Sequence, residues 1–197
     1  MRPVEKLFTT AEAAVLADAP PGAIEKAIEE GIIEIRRGPA PKAGSRRRRL
    51  LPSRSVYYVA FLKKCDLHFT RKHKRRLWGW FKKTRPQHLL TARWQITPGV
   101  HIKPGELLRP VHERVNRYAH ARDRWIELDP DIKGGTPVIR GTRISVYSLA
   151  GRIRHGEGVS DIVDDNPDLA PEAVEAALTY AHANPLVGRP GGKPWRE

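Results

Sequence analysis

Residues Gly134–Val146 read GGTPVIRGTRISV, and this is the stretch whose residue choices specify a shape. Gly134, Gly135 and Gly141 supply positions where φ can turn positive. Val138-Ile139 and Ile144-Val146 bring β-branched residues to either side of Arg140-Gly141-Thr142-Arg143. Two short β-prone runs around a glycine-containing tetrapeptide predict a β-hairpin or a pair of strands exchanged between two chains. In the second case Val138, Ile139, Ile144 and Val146 form the interface of a homodimer. Shape determines Arg140 and Arg143 less. Three uses are open to them: anchoring the turn, binding a phosphate, or contacting a partner chain.

The run around this core is WIELDPDIKGGTPVIRGTRISVYSLAGRIRHGEGVSDIVDDNPDLAPEAVEAALTYA, from Trp125 to Ala181. It resembles a bacterial family of small helix-turn-helix domains of unassigned function, known largely as antitoxin components. The hallmark is GG-x-P-x-I-x-GTR-I-x-V, then a helix ending in Gly, a short helix, a D-x-P-x-L turn and an acidic helix ending in YA. The resemblance implies a VapB-like type II antitoxin. Its larger members carry an N-terminal DNA-binding module, and their partner is a PIN-type ribonuclease toxin of the VapC class. One departure stands out. Ala170 occupies the position before Pro171 where the last helix usually opens with Ser or Thr, so its cap comes from Asp168 or is missing.

Charge divides the chain. The net charge of +14 is the sum of +17 up to Arg124 and −3 from Trp125 onward. A strongly basic segment suits a polyanion, because neutralising phosphates releases counterions. The acidic segment repels the same polyanion, which makes it a dimerisation or protein-docking unit rather than a DNA reader. A single cysteine, Cys65, excludes an internal disulfide framework and a zinc ribbon. No apolar run approaches the ~20 residues of a membrane span, and the first residues resemble no secretory signal, so a cytoplasmic location is expected.

The N-terminal third reads as helix, tight turn, helix, wing, helix. Thr9-Thr10 caps AEAAVLAD, with Ala13, Ala14 and Leu16 inward. After Pro20-Pro21-Gly22, AIEKAIEEGII places Ile24, Ala27, Ile28 and Ile32 at helical spacing. Ile33-Ile35 and Leu50-Leu51 are candidate paired strands around a basic Gly/Pro/Ser-rich tip. SRSVYYVAFLKKC follows as a helix capped by Ser53 or Ser55, with Val56, Val59, Ala60 and Leu62 buried. This order resembles the winged module of the MerR and excisionase type.

From Arg36 to Arg93 there are 19 Lys and Arg against one acid, Asp66. Solubility alone is served by mixed signs, so this run points to nucleic acid. Lys26, Arg36, Arg37 and Lys42, with the run Arg46, Arg47, Arg48 and Arg49, are the candidate duplex-DNA contacts, the run being suited to phosphate or minor-groove contact. The second helix would lie in the major groove. Its exposed face carries Glu25, Glu29 and Glu30 beside Lys26, which confines base reading to its start, Pro21 to Lys26. Leu77, Trp78, Trp80 and Phe81 interrupt the basic run. They form either an apolar packing stripe or, with Trp94, stacking platforms for single-stranded nucleic acid. ARWQITPGVHIKPGELL contains short β-like pieces with turns at Pro98-Gly99 and Pro104-Gly105. A connecting helix then runs to Trp125, with Pro110 in its first turn.

The expected fold is mainly α with short β segments. A winged helix-turn-helix covers 1–65 and a basic helical connector 66–124. A three-helix helix-turn-helix unit with the hairpin or exchanged strands covers 125–184, and an extended tail 185–197. In the acidic unit Val146, Leu149 and Ile153 share a face, Ser160 caps DIVDD, and Val174, Ala177, Leu178 and Ala181 are buried. In the tail, Leu186 and Trp195 are candidate apolar anchors, and Arg189 and Arg196 candidate cations for the carboxylate pocket of the nuclease the resemblance implies. No nucleophile elbow, phosphate loop or HExxH motif occurs. Neither a catalytic activity, a metal nor a cofactor is expected. The functional expectation is an operator-binding, repressing antitoxin. The alternatives are a stand-alone DNA-binding regulator or nucleoid-type protein, and an RNA-binding protein using Trp78, Trp80 and Trp94.

Overall fold

The structure, a computed structural model, describes residues 5–38 and 48–186. The chain is mainly helical with short antiparallel strands, and its contacts divide it into two compact units, residues 1–120 and 121–197.

The first unit opens on a strand that the sequence reading did not contain, β1 (Leu7–Thr9), whose Phe8 is fully buried. Thr9 then caps α1 (Thr10–Ala17) in a reciprocal box. Its hydroxyl accepts from the Glu12 amide at 3.1 Å, and the Glu12 carboxylate accepts from the Thr9 amide at 2.8 Å. Asp18, in the left-handed region at φ 52°, closes α1. The Pro20-Pro21 pair starts α2 (Pro21–Glu29) with Pro21 at the first helical position, where its missing N–H costs nothing. Ile24 and Ala27 are buried and Ile28 is half-buried.

The wing differs from expectation in register. The strand after α2 is β2 (Arg36–Arg37) rather than Ile33-Ile35, and it pairs with β3 (Arg49–Pro52), Arg36 opposite Leu50 and Arg37 opposite Arg49. Ile32 and Ile33 are buried before the strand starts. β3 also pairs with β1, which makes a three-stranded antiparallel sheet in the order β1-β3-β2. The helix α3 (Ser53–Lys64) follows without a side-chain cap. Ser53 and Ser55 are buried within it, and Tyr57, Tyr58 and Phe61 join Val56, Val59 and Ala60 in the core, while Leu62 is half-buried.

The next helix, α4 (Arg71–Lys83), is amphipathic, with Leu77, Trp78 and Phe81 inside and lysines and arginines outside. Trp78 and Phe81 meet Tyr58 edge-on at 5.5 and 5.8 Å between ring centroids. A 3₁₀ turn (Pro86–Leu90) and the hairpin of β4 (Trp94–Thr97) with β5 (Val100–Ile102) lead to α5 (Gly105–Trp125). Pro104-Gly105 therefore starts a helix rather than a separate turn, and Pro110 lies inside it, past its first turn. Both Pro110 and Glu106, whose carbonyl loses a helical donor to the proline, are exposed to water. Tyr118 of α5 donates its hydroxyl to Glu12 at 2.6 Å, and Arg114 donates to the Leu16 carbonyl at 2.6 and 2.9 Å. The segment read as a connector is thus packed against α1 and α3, as part of the same unit as the winged sheet.

In the second unit β6 (Ile126–Glu127) pairs with β7 (Val138–Ile139). Three helices follow: α6 (Val146–Arg154), α7 (Val159–Asp165) and α8 (Pro171–Ala183). Ser145 caps α6, and Gly156, at φ 101°, ends the turn after it. Gly158, not Ser160, is the cap position of α7, with the Asp161 carboxylate accepting from the Gly158 amide at 2.7 Å. Ala170 leaves α8 without a side-chain cap, so Asp168 does not serve. Val174, Ala177 and Ala181 are buried as expected, with Ala173, Ala176 and Tyr180 in addition, while Leu178 is half-buried.

Candidate nucleic-acid interface

The β2–β3 pairing places Arg36 and Arg37 on one strand and Arg49 on the next, directly opposite Arg37. Arg48 sits just before β3, its carbonyl accepting from Gly38 at 2.8 Å. These four arginines do not carry equal free charge. Arg36 is paired to Glu5, and Arg49 to Glu25 of α2 at 2.9 Å. Arg37 and Arg48 are exposed and form no ion pair with a described residue, and Lys26 on the exposed side of α2 is in the same condition. Lys42, Arg46 and Arg47 lie outside the described residues.

The Arg49–Glu25 pair changes the reading of α2. The acid that weakened the helix as a DNA reader carries a compensating guanidinium from the wing. No sequence spacing announces a pair formed between residues 24 positions apart.

A second basic surface comes from α4. Lys72, Arg75 and Lys83 are exposed and without a described acidic partner. Arg71 donates to the Glu30 carbonyl at 2.9 Å, and Lys82 pairs with Glu34. Burial bears on the tryptophans as stacking platforms. Trp78 and Trp94 are each 5% exposed, and Trp80 is half-buried against Phe81 at 5.2 Å. That removes two of the three tryptophans on which base stacking would rest.

In the second unit the GTR loop is a closed hairpin within one chain. The Thr142 amide donates to the Ile139 carbonyl at 3.0 Å, and the Ile139 amide to the Ile144 carbonyl at 2.9 Å. Thr142 also donates its hydroxyl to Ile139 and accepts from the Ile144 amide. Gly134, Gly135 and Gly141 all adopt positive φ, at 62°, 80° and 75°. Val138, Ile139 and Val146 are buried in this unit's own core, Val146 as the first residue of α6, and only Ile144 is half-exposed. Their side chains are already covered within one chain.

The two loop arginines separate. Arg140 is an anchor: its guanidinium donates to the Arg124 carbonyl at 2.9 Å and the Asp123 carbonyl at 3.4 Å, and its amide to the Trp125 carbonyl at 2.7 Å. These are the free carbonyls at the end of α5, which a cation also favours through the helix dipole. Glu127 lies 3.6 Å away as its counter-ion. Arg143 is exposed and has no such partner among the described residues. Another cation, Arg152, is held by Glu157 and Asp165, and these two carboxylates push its pKa above the usual arginine value. Of the tail candidates, Leu186 is 66% exposed, and Arg189, Trp195 and Arg196 lie outside the described residues.

Residues 126–181, which hold β6, the hairpin and α6 to α8, match the model of a family described as a protein of unknown function, DUF433. The chain is 43% identical over 82 residues to the uncharacterized protein y4eO of Sinorhizobium fredii (strain NBRC 101917 / NGR234). That match spans 42% of this chain and 37% of the relative, so it covers little over a third of the relative's length. Among solved structures, the chain is similar to Rv2018 from Mycobacterium tuberculosis over 88% of this chain and 97% of that one, at 20% identity and a TM-score of 0.42.

Proposed function

We propose that this protein is the DNA-binding antitoxin of a type II toxin–antitoxin module, in which the first unit binds operator DNA and the acidic second unit and tail neutralise a PIN-type ribonuclease. The observation that carries the DNA half is the wing. Arg37 on β2 and Arg48 just before β3 have no acidic partner among the described residues, and Arg49 cancels Glu25 on the neighbouring helix. Lys26 and Arg36 add to the same basic region, and in the sequence Lys42, Arg46 and Arg47 continue the basic run. The toxin half rests on the GG-x-P-x-I-x-GTR pattern and on a unit whose charge is opposite to that of the first. Two copies present two wings to a palindromic operator. The covered hairpin means that a two-fold contact through Val138, Ile139, Ile144 and Val146 requires strand exchange.

The test has two arms. Fluorescence anisotropy on duplex DNA, titrated against salt, should show binding that falls steeply with salt. The R37A/R48A variant should bind every sequence more weakly, with a log–log salt slope reduced by about 0.9 for each lost contact. Unchanged affinity and slope remove the wing from the site. In the second arm, the product of the neighbouring open reading frame is assayed for RNA cleavage with and without the full chain. Failure to inhibit, with DNA binding intact, leaves a stand-alone regulator. If a chain ending at Asn184 inhibits as well as the full chain, Leu186, Arg189, Trp195 and Arg196 are not the inhibitory element.

A further inference from the structure

The first unit contains a cleft of about 730 Å³ between the start of α3, the end of α4 with the 3₁₀ turn behind it, and the middle of α5. Its charged lining is one-sided: Lys6, Arg54, Lys82, Lys83 and Arg85 against the single acid Glu5. Glu5 is shared between Arg54 and Arg36, and Lys82 is paired to Glu34. Lys83 and Arg85, both exposed, form no ion pair with a described residue and leave net positive charge in the cleft. The Nε of Arg54 is buried without an acceptor.

The wall contributed by α3 and α5 is different in kind. Lys6 donates to the Asn116 side-chain oxygen at 3.2 Å, the Asn116 amide nitrogen lies 2.8 Å from His112 Nε2, and His112 Nδ1 lies 3.2 Å from the Tyr57 hydroxyl. Asn116 contributes its amide N–H to this chain, so Nε2 is the acceptor and Nδ1 carries the proton of a neutral imidazole. Burial and the neighbouring Lys6 charge both favour that neutral form. The cleft therefore joins a cationic end to a fixed wall of hydrogen-bonding groups, neutral Tyr57, His112 and Asn116, held in place by Lys6. Its volume lies in the range of small-molecule sites and exceeds what an isolated phosphate needs.

We propose that this cleft binds a phosphorylated small molecule of nucleotide size, with its phosphates on Lys83 and Arg85 and its polar body against Tyr57, His112 and Asn116. The two cations Lys83 and Arg85 offset most of a diphosphate's charge, and the planar fork of Arg85 suits its oxygens. The site does not depend on the DNA-binding reading, since none of the wing residues Arg37, Arg48 and Arg49 lines it.

The experiment is calorimetric titration of the full chain with ADP, pyrophosphate and orthophosphate, without magnesium. ADP should bind saturably at one site per chain. The K83A/R85A variant changes two exposed residues and should fold, and it should weaken ADP by about tenfold or more. The R37A/R48A variant should leave ADP within about twofold of the unaltered protein. Absence of saturable ADP binding overturns the proposal. So does equal loss in both variants, which marks general attraction by a basic protein. Orthophosphate binding as tightly as ADP reduces the cleft to a bare anion seat, and stoichiometric displacement of ADP by duplex DNA reassigns it to the nucleic-acid backbone. Either result refutes the assignment.

Discussion

Replacing Glu25 by Gln should strengthen DNA binding. In the folded protein Glu25 holds Arg49 at 2.9 Å, with 35% and 47% of the two side chains exposed. An ion pair that open to water contributes about 0–1 kcal/mol to folding, so the variant remains folded. Glutamine removes one negative charge from the face of α2 and returns one full positive charge to the wing. If that charge reaches a phosphate, one further counterion is released, and the log–log salt slope steepens by about 0.9. At about 0.15 M salt the same term amounts to about 0.7 of a decade in affinity, roughly a fivefold gain. Anisotropy titrations at several salt concentrations, with R49A alongside, read both quantities. R49A should lose affinity by about as much as Glu25→Gln gains, because Glu25 then faces the duplex uncompensated. A Glu25→Gln protein with unchanged slope and no gain in affinity would show that Arg49 does not approach the backbone, and would place DNA elsewhere on the unit.

Three further outcomes are expected. Glu12 takes the Thr9 amide and the Tyr118 hydroxyl, and hydrogen bonds to a buried carboxylate contribute about 1.5–3 kcal/mol each. Tyr118→Phe and Glu12→Gln should each cost about that much in denaturant unfolding, and the double variant less than the sum; strict additivity would mean that the two groups are not coupled. Arg140→Met should destabilise the second unit by about 1–2 kcal/mol through the lost contacts at the end of α5, while Arg143→Met stays within about 0.5 kcal/mol; hydrogen exchange at the Arg140 amide distinguishes them. Burial and Lys6 hold His112 below its ordinary pKa, opposed more weakly by Glu113. The unfolded state therefore takes up a proton that the folded state resists, and stability declines as pH falls through about 6.5; His112→Gln should flatten that decline between pH 7 and pH 5, and an identical decline in the variant refutes the assignment.

What could be read from sequence followed from how restrictive each residue is. Gly134, Gly135 and Gly141 were legible as positive-φ positions because few other residues hold that conformation without cost. The apolar stripe of α4 was legible as one of two readings, and burial of Trp78 and Phe81 decides for packing. The strand β1 was not legible, since three residues carry no periodicity, and its pairing is set by β3 some forty positions later. The anchoring role of Arg140 was hidden for a related reason: its acceptors are the last carbonyls of α5, which take their positions only when that helix ends beside the hairpin. In the basic region sequence supplies the sum of charge but not its distribution. Only the fold shows Arg36 and Arg49 neutralised, and Arg37 and Arg48 without an ion pair among the described residues.

The bond between Glu12 and Tyr118 spans 106 residues of chain, and this sets an order of events during synthesis. At about 5–20 residues per second, α1 is complete roughly 5–20 s before the tyrosine that closes over it has been made. During that interval the winged sheet can pair, since β1, β2 and β3 all lie within the first 52 residues. By then α2 and α3 already cover the apolar side of α1, but the Glu12 carboxylate still awaits the Tyr118 hydroxyl. A fragment ended after α3 would never acquire that bond, nor the bond from Arg114 to the Leu16 carbonyl. The second unit has no such wait, because β6, β7 and α6 to α8 assemble from neighbours along the chain. The first unit therefore completes its long-range hydrogen bonds only once most of α5 has been made.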